Sequence, residues 1–296
     1  MTKLRLPENK ISSIFDGGDK QFIMAFNELE EFSNKYIKYM LKIGGYPKDY
    51  PWPIDNLHNW SRWWEYAFAW MHVKELARIN KRLRILDIGP ALTFFPLFLS
   101  QNGFEVTAID IDSRIKKWAD FAFVGLGRHE KRNGKIEFVT GDITHKVLPG
   151  RSFDVVTNIS VIEHISDKEM AVKEIYRLLR PGGKLINTLD ISLDGLPVGD
   201  SKPLEVKESY DFIQLLENTF GTKLKFDFVH PMDIVTPGRY PKKYTDNQLY
   251  VSNFHLARQI WKLIASRLSL KFLLNPNRLD MWTVMGISVQ KSSIRR

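Results

Sequence analysis

Between residues 84 and 194 the sequence places polar residues at the ends of successive apolar runs. "RILDIGPALT" carries Asp87, Gly89, Ala91 and Thr93. "AIDID" sets Asp110 about 20 residues after Gly89, followed by Ile111. "TGDI" adds Asp142 and Ile143, "NISVIEH" holds Asn158, Ile159, Ser160, Glu163 and His164, and "LDISLDG" ends with Asp190 and Asp194. An acid that far beyond a glycine turn stands where a carboxylate meets ribose hydroxyls. A pyrophosphate would need close backbone approach, and so glycine where Ala91 and Phe94 stand. A dinucleotide is therefore disfavoured. Singly these signals are weak. An acid after a strand is more often a turn former, and a lone histidine more often a hydrogen-bonded structural one. Their weight comes from order, one signal per run.

The elements that position them alternate. Strands are predicted at "RILDI", "EVTAID", "KIEFVTGD", "FDVVTNIS" and "GKLINTLD". Helices are expected at "PLFLSQNG", "SRIKKWADFAFVGL" and "DKEMAVKEIYRLLRPGG". The last of these turns Met170, Ile175, Leu178 and Leu179 inward and stops at Pro-Gly-Gly. This alternation predicts an α/β fold with a doubly wound, mostly parallel sheet. Further on, a helix at "LEVKESYDFIQLLENTF" precedes a strand at "KLKFDFVH", a loop, a helix at "SNFHLARQIWKLIASRL" and a last strand at "MWTVMGISVQK". The two late strands would close one edge as an antiparallel pair, making seven strands.

Ahead of the sheet, Phe22, Phe26, Leu29, Phe32, Tyr36, Ile37 and Met40 recur at three- and four-residue steps, an amphipathic helix ended by Gly44-Gly45. "YPKDYPWPID" is a loop, because its prolines forbid regular pairing. A second helix is expected from about Asn59 to Asn80, crowded with Trp60, Trp63, Trp64, Tyr66, Phe68 and Trp70. The expected organisation is a helical cap over residues 1–80 and an α/β domain over 81–296, with an insert at about 231–280.

With 296 residues, 44% of them hydrophobic, a large core is within reach. No cysteine is present, which excludes disulfides, thiolate metal sites and a cysteine nucleophile, and no metal is expected. No apolar run approaches bilayer-spanning length, and the first residues lack the core of a signal peptide, so a cytoplasmic protein is expected. The net charge of +9 is scattered in small clusters. A solvated basic surface accounts for that, with a polyanionic or membrane-surface partner as the alternative.

"DIGPALT", "AIDID", "TGDI" and "FDVVTNISVIEHI" followed by "EIYRLLRPGGKL" resemble the class I S-adenosylmethionine-dependent methyltransferases, in their small-molecule branch. The resemblance covers residues 84 to about 190 and, by topology, the final strands. It implies S-adenosylmethionine as cofactor. The loop of Asp87, Gly89, Ala91 and Thr93 would wrap its methionine part, Asp110 and Ile111 its ribose side, and Asp142 and Ile143 its adenine. Asn158, Ile159 and Ser160 would face the methyl donor. This cofactor has no phosphate, so a small residue at position 91 suffices, provided Ala91 keeps a negative φ.

Methyl transfer to oxygen needs an aligned nucleophile and often a base. His164 is the first candidate, Glu163 its neighbour, and Asp190 with Asp194 the second pair. The tryptophan-rich helix packs on the sheet or forms a lid. Its "RWWEY" is similar to a segment of some bacterial members, which would bring Arg62, Glu65 and Tyr66 to the cofactor or substrate. Arg239, Lys242 and Lys243 are candidates for an acidic group on the acceptor. The expected activity is O-methylation of a small molecule. An RNA methyltransferase is the runner-up, favoured by charge but lacking a recognisable RNA-binding module. A non-catalytic binding module is the third reading.

Overall fold

The computed structural model describes residues 9–55, 57–58, 61–127, 134–193, 203–230, 233–236, 241–245, 248–251 and 282–293. For 121–125, 127, 241–245 and 248–251 it describes the backbone alone. Among these residues ten strands lie, in chain order, at β1 (Lys10–Ile11), β2 (Arg84–Ile88), β3 (Glu105–Asp110), β4 (Lys135–Thr140), β5 (Phe153–Ile159), β6 (Leu179–Ser192), β7 (Leu204–Glu205), β8 (Pro241–Thr245), β9 (Gln248–Val251) and β10 (Trp282–Gln290). Eight form one sheet in the order β1-β10-β6-β5-β2-β3-β4, with β7 beside the end of β6. The strands β2 to β6 run parallel, and β10 is antiparallel to β6. The chain winds outward from β2 through β3 to β4, then returns to add β5 and β6 on the other side. The crevice at the carboxyl ends of β2 and β5 is therefore the switch point at which such sheets bind ligands.

The mostly parallel sheet with an antiparallel last strand is as expected, but its outer edge is built differently. The segment 223–230 is not a strand. The place next to β10 is taken by β1, with Lys10 opposite Gly286 and Ile11 opposite Met285. Asn9 then separates the sheet from 225–227: its Oδ1 accepts from the Ser288 amide, while its Nδ2 donates to the Lys225 carbonyl. Phe226 keeps one isolated bridge to Asn9, and Phe228 is 86% exposed. A strand needs a free edge as well as alternation, and that edge is occupied.

Among the described residues six α-helices accompany the sheet: α1 (Lys20–Lys42), α2 (Arg62–Ile79), α3 (Phe95–Gln101), α4 (Ser113–Gly127), α5 (Lys168–Leu178) and α6 (Val206–Phe220). The Asp19 carboxylate caps α1 by accepting from the Gln21 and Phe22 amides, and Asp167 caps α5 at the Met170 amide. Helix α5 ends sooner than its Pro-Gly-Gly suggests. Pro181 disfavours helical backbone at Arg180, and Leu179 is already extended at the start of β6. Met170, expected inward, is 45% exposed, because it sits in the first turn. The expected loop after residue 231 contains the hairpin of β8 and β9. The expected helix in 252–281 lies outside the described residues.

Helix α2 is buried from Trp63 through Val73, apolar on nearly every side, so it is a core helix. Trp63, Trp64, Phe68 and Trp70 pack rather than line an opening; Trp60 lies outside the described residues. Its seat depends on Gly286 in β10, where an added Cβ would stand 2.7 to 2.8 Å from the Phe68 and Trp64 rings. Those rings stack at 5.0 Å and leave no slack. Gly286→Ala is therefore expected to lower stability by about 1–3 kcal/mol through overpacking. Chemical denaturation checks this; an unchanged midpoint would mean that α2 shifts freely on the sheet.

Candidate active site

A cavity of about 720 Å³ opens at the carboxyl ends of β2 to β6, within the usual range for small-molecule sites. The end of β2 and the loop after it contribute Asp87, Gly89, Ala91 and Thr93 to its lining; the end of β3 and the loops after β3 and β4 contribute Asp110, Ile111, Asp142 and Ile143. Ile159, Ser160 and His164 line it after β5, Asp190 from β6, and Arg62 and Tyr66 from α2. Two expected residues stand behind the wall instead. Asn158 uses its Oδ1 to accept from the Ile162 amide, pinning the loop after β5. Glu163 is buried, and its Oε1 accepts from the Asp190 amide. Glu65, expected at the ligand, is wholly buried beneath Arg62. Asp194 and Arg239 lie outside the described residues; Lys242 and Lys243 are in β8, their side chains outside the description.

The loop after β2 answers its lack of glycine in an unexpected way. Ala91 adopts φ +48°, a left-handed conformation, and not the negative φ expected of it. The strain is carried by a frame of bonds. The Ala91 amide donates to Asp110 Oδ2 at 3.1 Å, the Leu92 amide donates to the Tyr50 hydroxyl, and the Tyr36 hydroxyl donates to the Leu92 carbonyl. Side chains from α1 and the proline loop thus hold the turn. Since left-handed backbone costs a non-glycine residue about 1–2 kcal/mol, Ala91→Gly is expected to fold with an undiminished thermal midpoint. Ala91→Val, with its β-branch, should lower that midpoint. A higher midpoint for valine than for glycine would refute the left-handed turn.

Charges at the site are set by burial. Burial pushes the Asp87 carboxyl up to about 7, against a 2.7 Å hydrogen bond from Thr157 and with added repulsion from Asp110. Burial also raises Asp110, whose two oxygens accept from the Ala91 and Asp112 amides. Asp142 is more exposed and is held below the usual carboxylate range by the amide and hydroxyl of Thr144. Burial lifts Asp190 to about 7, with Arg62 opposing, and lifts Glu163 well above the carboxylate range, with Asp190 adding to it. Burial lowers His164, and the cations of Arg62 and Lys168 add to this, so its imidazole is neutral at physiological pH.

Three lining residues from the proline loop, Pro51, Trp52 and Pro53, went unrecognised in the sequence, as did Trp282. The Trp52 ring lies 6.5 Å from that of His164, across the mouth. Arg114 reaches back to Asp49 at 2.7 Å, and His58 bridges Asp55 and Glu30, so the loop is tied down on both sides of Trp52. A signal for Trp282 did exist. A last strand antiparallel to β6 must begin where β6 ends, and Trp282 pairs with Ser192.

A family profile described as a methyltransferase domain matches residues 86–187, which include the loops after β2, β3, β4 and β5. Over those residues the chain is similar to a methyltransferase domain, as the resemblance to the class I S-adenosylmethionine-dependent methyltransferases implied. It is 26% identical over 183 residues to a phosphoethanolamine N-methyltransferase of Triticum aestivum, covering 62% of this chain and 34% of that one. It is 30% identical over 124 residues to a malonyl-[acyl-carrier protein] O-methyltransferase of Enterobacter lignolyticus, covering 41% and 45%. With a ubiquinone biosynthesis O-methyltransferase of Pseudomonas entomophila the figures are 28% over 137 residues, 42% and 56%. The match thus spans from a third to little over half of these relatives.

The comparisons support S-adenosylmethionine as the cofactor, and the cavity suits it. Arg62 is the only lysine or arginine among its described lining residues, and it is already paired with Glu65 at 2.5 Å. The described lining thus offers no cluster of cations for phosphates, which a phosphate-free cofactor does not need. Asp190 Oδ1 is buried on the cavity wall without a hydrogen-bond partner, an acceptor that a ligand would satisfy. No described helix is long and apolar enough to cross a membrane.

Proposed function

We propose that the protein transfers a methyl group from S-adenosylmethionine to a hydroxyl oxygen of a small molecule. The observation that carries this reading is the meeting, in one cavity, of the loops after β2 to β5 with a neutral histidine at the mouth. In this reading Asp110 accepts the ribose hydroxyls, with Ile111 beside it, and Asp142 and Ile143 meet the adenine. Asp87, Gly89, Ala91, Thr93 and Arg62 would hold the amino-acid end, and Ile159 and Ser160 the region of the methyl. When bound, the cofactor supplies an electrophilic methyl carbon on a sulfonium.

The chain's own work is to align the acceptor, exclude water and remove one proton. His164 takes that proton on its neutral imidazole, and Asp190, with its unpartnered oxygen, orients the acceptor from the β6 side. Trp52 and its flanking prolines shut out water. The helices of residues 1–80 form the cover on the α2 side, with Arg62 and Tyr66 lining the cavity. The relatives named above support a small-molecule acceptor, and their names include nitrogen and oxygen acceptors. The test is a tritiated-methyl transfer screen over metabolite, lipid, glycan and RNA pools, with product chemistry assigning the methylated atom. Label appearing only in RNA, or in an amine, would replace this reading.

A further inference from the structure

Glu65 has no exposed surface, yet four groups from three parts of the fold donate hydrogen bonds to its carboxylate. Ser61 Oγ and Arg62 Nη1 reach Oε1 at 2.6 and 2.5 Å. Ser160 Oγ, after β5, and Thr188 Oγ1, in β6, reach Oε2 at 2.5 and 2.6 Å. A carboxylate with two oxygens is well satisfied by four donors. Removing the charge would leave Arg62 deprived of its nearest partner at a largely buried site.

Two of these partners line the cavity. Ser160 holds φ +49°, and only three described non-glycine residues take positive φ; the other one at the cavity is Ala91. Such strain persists only where the surroundings over-determine it. At Ser160 they do so through two bonds: the hydroxyl to Glu65 and the amide to the Thr188 carbonyl at 3.1 Å. Thr188 stands two residues before Asp190 on the same face of β6.

We infer that Glu65 is a positioning residue: a buried carboxylate of helix α2 that locks the loop after β5 in its left-handed turn at Ser160 and fixes Arg62 at the cavity wall. It acts through Ser160 and Arg62 and does not itself line the cavity. The inference rests on the cavity being the cofactor site. It means that the cap helix is part of the cofactor site's construction, beyond covering it.

Glu65 also sets a charge balance that can be read without any ligand. Asp190 is faced by Arg62 and Glu65 from α2 and by Glu163 from the turn after β5; Tyr66 and His164 lie on the same side of the site and also interact with Arg62. Glu65 raises the Asp190 carboxyl and Arg62 lowers it. In E65Q the first influence goes and Arg62 turns to Asp190, so the Asp190 midpoint falls from about 7. An unmoved midpoint would mean that neither the Glu65 charge nor an Arg62 released by its loss acts on Asp190.

The experiment compares the parent, E65Q, S160A, S160G and E65Q/S160G. Carboxyl carbon-13 NMR of ligand-free protein, with Asp190 assigned through D190N, reads the midpoint. Calorimetry with S-adenosylhomocysteine reads the site. E65Q is expected to lower the Asp190 midpoint and to weaken the ligand at least tenfold. S160A should weaken it several-fold with a near-parental thermal midpoint, whereas S160G, which takes positive φ freely, should bind within about threefold of the parent. Adding S160G to E65Q should recover part of the lost affinity. Parental affinity and an unmoved Asp190 midpoint in E65Q overturn the inference. Should E65Q fail to fold, parental binding by S160A overturns it. If the parent itself ignores S-adenosylhomocysteine, the cofactor-site reading fails, and the ligand-free titration still reports on the Glu65 contact.

Discussion

His164→Ala is expected to lower kcat by about 10²–10⁴ while affinity for S-adenosylhomocysteine stays within a few-fold. His164 lines the cavity mouth opposite Trp52, and no hydrogen bond ties its ring among the described residues. Its loss therefore removes chemistry more than structure. The sign of the pH dependence separates it from its rival. Burial and the neighbouring cations lower its pKa below the ordinary imidazole value of 6.5, so the base form appears as pH rises through that lower point. The parental rate should climb on the acid side of 6.5 and then level. A base at Asp190 would put the climb at about 7 instead. A variant that keeps parental kcat and the same limb assigns the proton to Asp190, or to no base at all, as with an amine or an already ionised acceptor. Loss of cofactor binding together with rate would make His164 a support for the loop.

Asp110→Ala is expected to weaken the cofactor by at least tenfold and toward a hundredfold in calorimetry. Charged hydrogen bonds contribute about 1.5–3 kcal/mol each, and this carboxylate has two tasks. It is offered to the ribose, and it already holds the Ala91 and Asp112 amides. Truncation thus removes a ligand contact and also releases the strained turn at Ala91. The double variant Asp110→Ala/Ala91→Gly tells the two apart, since glycine relieves the strain without restoring the ribose partner. Affinity unchanged in Asp110→Ala would reject the ribose assignment. Affinity restored by glycine would make the effect one of loop geometry.

What the sequence disclosed follows from where the information is local. The strand-end residues Asp87, Asp110 and Asp142 were legible because a parallel sheet puts every carboxyl end on one side, so spacing along the chain becomes proximity in space. The conformation of Ala91 was not legible. It depends on hydroxyls of Tyr36 and Tyr50, which belong to other elements and have no fixed spacing from it. The pattern at 223–230 reads as a strand on its own, and it lost its edge to two residues from the other end of the chain. Glu65 was visible as an acid three residues after Arg62, expected at the ligand; that it is buried, with Ser160 and Thr188 completing its shell, required the cap's docking on the sheet.

The pairing of β1 with β10 also bears on the order of assembly. Lys10 and Ile11 meet Gly286 and Met285, so two of the earliest described residues wait for nearly the whole chain before they have a partner. The floor on which Trp64 and Phe68 rest is the same late strand. On a ribosome, which delivers the chain from its first residue onward, the cap's aromatic face is finished long before the surface that covers it. Contacts between such distant residues form slowly, and unburied aromatic surface in the interval invites association with other chains. Expression conditions that slow synthesis would lengthen that interval for this protein instead of protecting it.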